Sequence, residues 1–248
     1  MKLLFLGTGT STGIPQIGCN CKVCVSTETK DKRLRASVLI SEGNTKILID
    51  CGPDLRQQLI RHEIYHLSGI LLTHEHYDHV GGLDDVRPLG EAQLFAEKKV
   101  LGVIERNMPY CFVENKYPGV PLIKLHEISE TPFTIGELEV QPIRVMHARL
   151  PILGYRFNKI AYLTDVKTIE ERSIEKLKGL DLLVINALRP DKHISHLSLN
   201  EAVEIATKIG AKETYFTHMS HDMGLHHEVD KILPNTIHLS YDGLELNL

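Results

Sequence analysis

"GILLTHEHYDH", residues 69–79, joins two kinds of sequence within a few positions. Its first half is a short run of apolar residues, the pattern of a buried strand. Its second half places His74, His76, Asp78 and His79 directly where that strand ends. Two imidazoles at i and i+2 can converge on one cation. A carboxylate and a third imidazole, at i+4 and i+5, can turn toward a second cation nearby. Chance histidines on a polar loop do not account for so dense a set behind an apolar strand.

The rest of the chain suits that reading. It has 248 residues, 42% hydrophobic and 24% charged, with a formal net charge of −4. That length accommodates one large core, and the expected organisation is a single domain over 1–248. The near-balanced charge supplies no drive toward nucleic acid or an anionic membrane surface. No apolar run reaches the ~18 residues of a membrane span. The opening "MKLLFLGTGT" lacks the long apolar core and cleavage site of a signal peptide. Five cysteines are an odd number, which fits metal binding in a reducing cytoplasm better than a secreted disulfide framework. Fourteen histidines are a heavy load of the commonest metal ligand.

Strands are predicted at 2–7, 36–40, 46–50, 138–145, 153–157, 160–165, 181–187 and 214–218. Helices are predicted at 53–62 and 199–210. Ser198 and Glu201 stand in the Ser-x-x-Glu relation of a capping box, which sets the start of the second helix. Strands dominate both halves and ligand-type residues sit at their ends, so the expected class is a layered α/β protein with its site on one rim.

Four further stretches extend the pattern: "ILIDCG" (47–52), "VMHA" (145–148), "LTD" (163–165) and "THMSH" (217–221). Together with the opening motif they resemble the metallo-β-lactamase superfamily. The resemblance implies the αβ/βα four-layer sandwich of that superfamily. It also implies a dinuclear centre in which His74, His76 and His147 hold one metal, Asp78, His79 and His218 hold the other, and Asp165 bridges both. Asp50 is then suited to orient the metal loop from behind the ligands.

The N-terminal stretch "LGTGTSTGIPQIGCNCKVC" (6–24) resembles the phosphonate-utilisation cyclic phosphodiesterases, the PhnP-like family. Taken alone, its three cysteines could be free thiols, a redox pair or part of a zinc site. The family resemblance implies a structural zinc on a loop at about 18–25, held by Cys19, Cys21, Cys24 and His221. In a related family, the tRNA 3′-processing endonucleases, the long forms carry a flexible Gly/Pro-rich RNA-gripping arm between the ligands matching His147 and Asp165. Residues 148–164 leave room for a strand pair and no arm.

The expected function is hydrolysis of a small or cyclic phosphodiester by attack of a water activated between two divalent metals, zinc or manganese. His196 and Asp78 are the catalytic assignments. His196 stands just before the capped helix, whose N-terminus favours anions, and is assigned to leaving-group protonation or transition-state stabilisation, in preference to His193. The basic runs "KDKRLR" (30–35) and "LRPDKH" (188–193) read as surface turns, with a substrate phosphate as the alternative. The competing functions are a tRNA 3′-processing-type endonuclease, a thioester or lactone hydrolase, and a non-enzymatic metal-dependent scaffold. All seven ligand positions are filled, which argues against the scaffold. The expected partners are a small phosphodiester and, as an open case, a second copy of the chain in a homodimer. No membrane or stably bound nucleic acid is expected.

Overall fold

The computed structural model describes residues 1–248. Its strands divide into two sheets of seven. The first contains β1 (Lys2–Gly7), β2 (Ser37–Glu42), β3 (Thr45–Ile49), β4 (Gly69–Leu71), β5 (Glu91–Ala96) and β6 (Leu122–Glu127). The second contains β7 (Phe133–Ile135), β8 (Leu138–His147), β9 (Leu150–Phe157), β10 (Ile160–Leu163), β11 (Leu182–Asn186), β12 (Glu213–Thr217) and β13 (Ile237–Leu239). The last strand, β14 (Glu245–Asn247), returns to pair antiparallel with β1. The spatial orders are β14-β1-β2-β3-β4-β5-β6 and β13-β12-β11-β10-β9-β8-β7.

Side-chain alternation explains the layering. Successive strand residues face opposite sides, so a strand buried on both faces contributes to two cores. Leu3 and Phe5 pack between the sheets, whereas Leu4 and Leu6 face outward into a separate cluster. Leu182 and Val184 join the inter-sheet core, whereas Leu183 and Ile185 face the other way. The outward faces are covered by helices: α1 (Leu55–Arg61) and α3 (Lys98–Asn107) over the first sheet, α4 (Glu171–Glu175) and α5 (Leu199–Ile209) over the second. The result is the expected αβ/βα four-layer arrangement.

Each sheet is antiparallel on one side and parallel on the other. In the first, β3 to β6 run parallel. In the second, β10 to β13 run parallel. The carboxyl ends of parallel strands therefore collect at a shared rim, the usual place for a site in an open α/β sheet. Asp50 follows β3, His74 follows β4, Asp165 follows β10 and His218 follows β12.

The first helix spans Leu55–Arg61, starting later than its sequence suggests. Asp54 does not cap it, because its carboxylate instead accepts from the Arg35 backbone at 2.8 Å and the Arg35 guanidinium at 2.9 Å. The second helix begins where the capping box requires, with both reciprocal Ser198–Glu201 bonds present.

Candidate metal centre

The loop after β4 is held against the exit of β3 by direct backbone contact. Cys51 N–H donates to the His79 carbonyl at 2.7 Å, and Gly82 N–H donates to the Cys51 carbonyl at 2.8 Å. A Cβ on Gly52 would lie 2.0 Å from the Asp78 carbonyl oxygen, so only glycine permits this approach. The short helix α2 (Tyr77–Val80) then carries Asp78 and His79. Asp50, Asp165 and His218 all adopt φ near +60°, the left-handed region that side chains avoid. Each such turn costs about 1–3 kcal/mol, which the fold tolerates where it aims a functional side chain.

The seven expected ligand residues come together. His74, His76 and His147 form one compact group; Asp78, His79 and His218 form another; His74, His79 and Asp165 lie between them. The His74 Nε2 and His76 Nδ1 atoms approach to 2.9 Å. Asp165 Oδ2 is 3.2 Å from His79 Nε2, and its Oδ1 is 3.3 Å from His218 Nε2. Asp78 Oδ2 lies 3.2 Å from His79 Nε2 and 3.6 Å from His218 Nε2.

These residues fit the divalent metals that the fold family implies. His79 Nε2 and His218 Nε2 are buried and have no hydrogen-bond partner, although carboxylates lie close by. Nitrogen lone pairs and carboxylate oxygens converging in a buried space are a donor set for cations. Electrostatics points the same way. Burial opposes charge on His79, but the Asp165, Asp50 and Asp78 carboxylates outweigh it and hold its pKa well above the ordinary value. Burial, joined by the neighbouring histidines, pushes His74 well below.

Behind the ligands stand groups that set their orientation. Asp50 accepts from His79 Nδ1 at 2.7 Å, and also from Thr73 N–H at 2.8 Å and the Thr73 hydroxyl at 2.9 Å. His147 Nδ1 donates to the Ser195 carbonyl at 2.9 Å, and the Thr164 hydroxyl donates to Asp165 Oδ2 at 2.7 Å. Sequence reasoning found Asp50 and missed the other groups. A backbone carbonyl such as that of Ser195 leaves no signature in residue type.

His196 joins the same space. Its Nδ1 is buried, unpartnered and 3.6 Å from Asp165 Oδ1, and it groups with His147 and Asp165. Burial, with His218 next, pushes its pKa down to about 3, so the ring is neutral and carries one N–H to donate. His193 stacks on its outer face at 5.1 Å between ring centroids.

A second cluster lies on the N-terminal loop. Cys19, Cys21, Cys24 and His221 have their ligand atoms mutually within 4.8 Å. The Cys19 and Cys21 sulfurs are 3.2 and 3.3 Å from His221 Nδ1. The Gln16 and Cys24 backbone N–H groups donate to the Cys24 and Cys21 sulfurs at 3.4 and 3.5 Å. The Cys24 N–H bond, then His221, lowers the Cys21 thiol to about 6, whereas burial raises Cys24 to about 11. All four are unlinked donors around one point, a set that suits zinc.

The remaining histidines stay apart. His126 stacks on Phe95 and bonds Gln93, His238 pairs with Glu213, and His226 Nδ1 lies 3.2 Å from the buried Arg33 guanidinium. Cys51 and Cys111 are buried core residues. No helix is long and apolar enough to cross a membrane.

Two facing sheets with helices outside and a rim of His and Asp residues define the metallo-β-lactamase fold. The family model described as beta-lactamase superfamily domain matches residues 45–219. A solved structure described as a new diphosphatase from the PhnP family is 40% identical, covers 99% of this chain and 96% of that one, and has a TM-score of 0.93. The chain therefore belongs to the metallo-β-lactamase superfamily and, within it, to the PhnP family. The octanoyltransferase of Porphyromonas gingivalis is 48% identical over 99% of this chain but only 51% of its own length, so the chain spans about half of that relative. Zinc-bound PqqB from Methylobacterium extorquens shares the fold at 20% identity, with a TM-score of 0.82 and full coverage of both chains.

Proposed function

We propose that this chain is a metal-dependent hydrolase of a small or cyclic phosphodiester. The carrying observation is the convergence of seven His and Asp side chains, among which the buried His79 Nε2 and His218 Nε2 have no hydrogen-bond partner within the protein. The 40% identical diphosphatase supports phosphorus as the reacting centre. His74, His76 and His147 would hold one divalent ion, Asp78, His79 and His218 the other, and Asp165 would touch both. Such a pair, zinc or manganese, supplies Lewis-acid polarisation of a phosphoryl oxygen and activation of water at neutral pH.

The chain's own groups do the rest. Asp50, the Ser195 carbonyl and Thr164 hold the ligand side chains in orientation, which reduces the reorganisation needed during reaction. His196, beside Asp165, donates its ring N–H to a phosphoryl or leaving-group oxygen. The capped N-terminus of α5 behind it adds a field that favours an anion. Cys19, Cys21, Cys24 and His221 would bind a structural zinc that ties the loop to the turn following His218.

Between His147 and Asp165 the chain makes only β9 and β10, leaving no arm to grip an RNA. This favours a small substrate over a tRNA precursor. One observation favours a second reading: the 48% identical Porphyromonas protein is named for octanoyl transfer. On that reading the site would cleave an acyl thioester. The name is equally accounted for by the half of that protein which lies outside the match.

A substrate panel decides between them. The metal-loaded protein is expected to hydrolyse bis-p-nitrophenyl phosphate faster than octanoyl-coenzyme A or a glutathione thioester. Faster thioester turnover would reverse the assignment of reaction class.

A further inference from the structure

The Cys/His cluster carries a chemistry that holding zinc does not use. Residues 21–25 make one helical turn, closed by Val25 N–H donating to the Cys21 carbonyl at 3.1 Å. Positions i and i+3 share a face on such a turn, so Cys21 and Cys24 present their sulfurs together. Cys19 precedes the turn and reaches the cluster from outside it. The three sulfurs and a ring nitrogen of His221 lie within 4.8 Å of one another. Two backbone donors fix the sulfur positions, Cys24 N–H at Cys21 Sγ (3.5 Å) and Gln16 N–H at Cys24 Sγ (3.4 Å).

Exposure divides the pair. Cys21 is half-buried, whereas Cys24 is only 5% exposed. An accessible thiol that meets an oxidant first, beside a sheltered thiol that attacks it next, is the arrangement of a reactive dithiol. The remaining cysteines, Cys51 and Cys111, are fully buried in the helix-covered core of the first sheet. The support beneath the loop is thin: Ile14, Val23 and Cys24 form its small apolar cluster, with Leu225 alongside. The chain between His218 and His221 is held much more firmly. Met219 N–H donates to the Thr8 carbonyl at 3.0 Å, Thr10 N–H to the Met219 carbonyl at 2.9 Å, and Ser220 N–H to the Leu188 carbonyl at 2.9 Å.

We propose that Cys21 and Cys24 are a peroxide-reactive dithiol whose oxidation to a disulfide releases the 18–25 loop from His221. The Cys21 thiolate attacks one oxygen of hydrogen peroxide, forming a sulfenic acid and expelling hydroxide. The Cys24 thiolate then attacks that sulfur, forming the S–S bond and expelling a second hydroxide. The two sulfurs give up two electrons, which reduce both peroxide oxygens. A thiol reductant reverses the change by exchange. Cys19 and His221 are left as two donors, too few for a tetrahedral zinc site. The backbone bonds of Met219 and Ser220 keep His218 in place, so oxidation loosens the loop and spares the His/Asp centre. The loss of zinc rests on the structural-zinc reading, whereas the disulfide is a property of the thiols alone.

The metal-loaded protein is treated with excess hydrogen peroxide, with an untreated sample as reference. Zinc release to a chromogenic indicator is followed beside thiol alkylation and peptide mapping. Metal content measured beforehand tests the zinc reading by itself. The expected result is loss of about one zinc per chain, a mapped Cys21–Cys24 disulfide, and free thiols at Cys19, Cys51 and Cys111. Limited proteolysis should then cut within 18–25, and dithiothreitol with added zinc should restore resistance. Cys24→Ser should stop at a sulfenic acid on Cys21, captured by dimedone, and Cys19→Ser should still form the disulfide. Retention of all five thiols in peroxide, or a disulfide through Cys19, would overturn the proposal. Oxidation of Cys51 and Cys111 as fast as Cys21 would also overturn it, by marking the reaction as that of an unfolded chain.

Discussion

The two ligand clusters of this molecule lie side by side, with His218 in one and His221 in the other, yet they are built on opposite principles. The His/Asp centre grows from the ends of core strands. His147 closes β8, the other ligands follow β4, β10 and β12, Asp50 behind them follows β3, and most of these residues are buried, with His76 exposed. The Cys/His cluster stands on a loop without regular secondary structure, with Cys19 and Cys21 half-buried and only a small apolar satellite beneath it. On the proposed reading the fold would hold the ligands of the first and its metals would serve chemistry, whereas in the second a metal would hold the loop. Damage to the first should therefore appear in rate, and damage to the second in order and stability.

The largest effect belongs to Asp165, which faces ligands from both halves of the centre. Asp165→Asn should lower diester hydrolysis on the order of 10³-fold or more, beyond the 10–100-fold typical of losing a ligand's outer partner. The melting temperature should change little, because the surrounding strands remain. Steady-state kinetics with calorimetry checks both halves of that statement. His196→Ala comes next: kcat should fall about 10²–10³-fold, the span for losing one hydrogen-bond donor to the charge that develops in the transition state. Metal content measured on the same sample should stay intact, and a metal-depleted variant would make His196 a ligand instead.

Asp50→Asn tests the orienting layer. An amide can still meet His79 or Thr73 but not accept from all three donors, so a decline of about 10–100-fold is expected. Replacing Cys19, Cys21 and Cys24 by Ser should give the reverse profile. Roughly one zinc should be lost, and limited proteolysis should open the 18–25 loop. Turnover should fall by less than about tenfold, below the range for a ligand's outer partner. If this triple variant lost activity as completely as Asp165→Asn, the two clusters would not be separable in the way their construction implies.

The same contrast explains what could be read from the sequence. The loop at 73–79 was legible because its ligands are consecutive and follow an apolar strand. His147, Asp165 and His218 were legible only as an ordered series, each closing an apolar run. Cys19, Cys21 and Cys24 announce themselves, but their fourth donor is far away in the chain, and only the family resemblance pointed to His221. Strands β5 and β6 escaped notice because "EAQLFA" and "LIKLHE" dilute their apolar alternation with Gln, Lys and Glu. Arg33 lay in a run read as a surface turn, but it is buried and bonds Thr8, Ser240 and His226.

The central claim is that the buried His/Asp side chains hold the metals on which hydrolysis depends. Metal content by mass spectrometry, measured alongside bis-p-nitrophenyl phosphate turnover during chelation and metal return, tests it most directly. The account predicts three metal ions per chain at full loading, with activity falling as two are withdrawn and returning when they are restored. One zinc should stay behind in the wild-type protein and be absent from the Cys→Ser variant. Undiminished turnover after both of those ions have been removed would contradict the account.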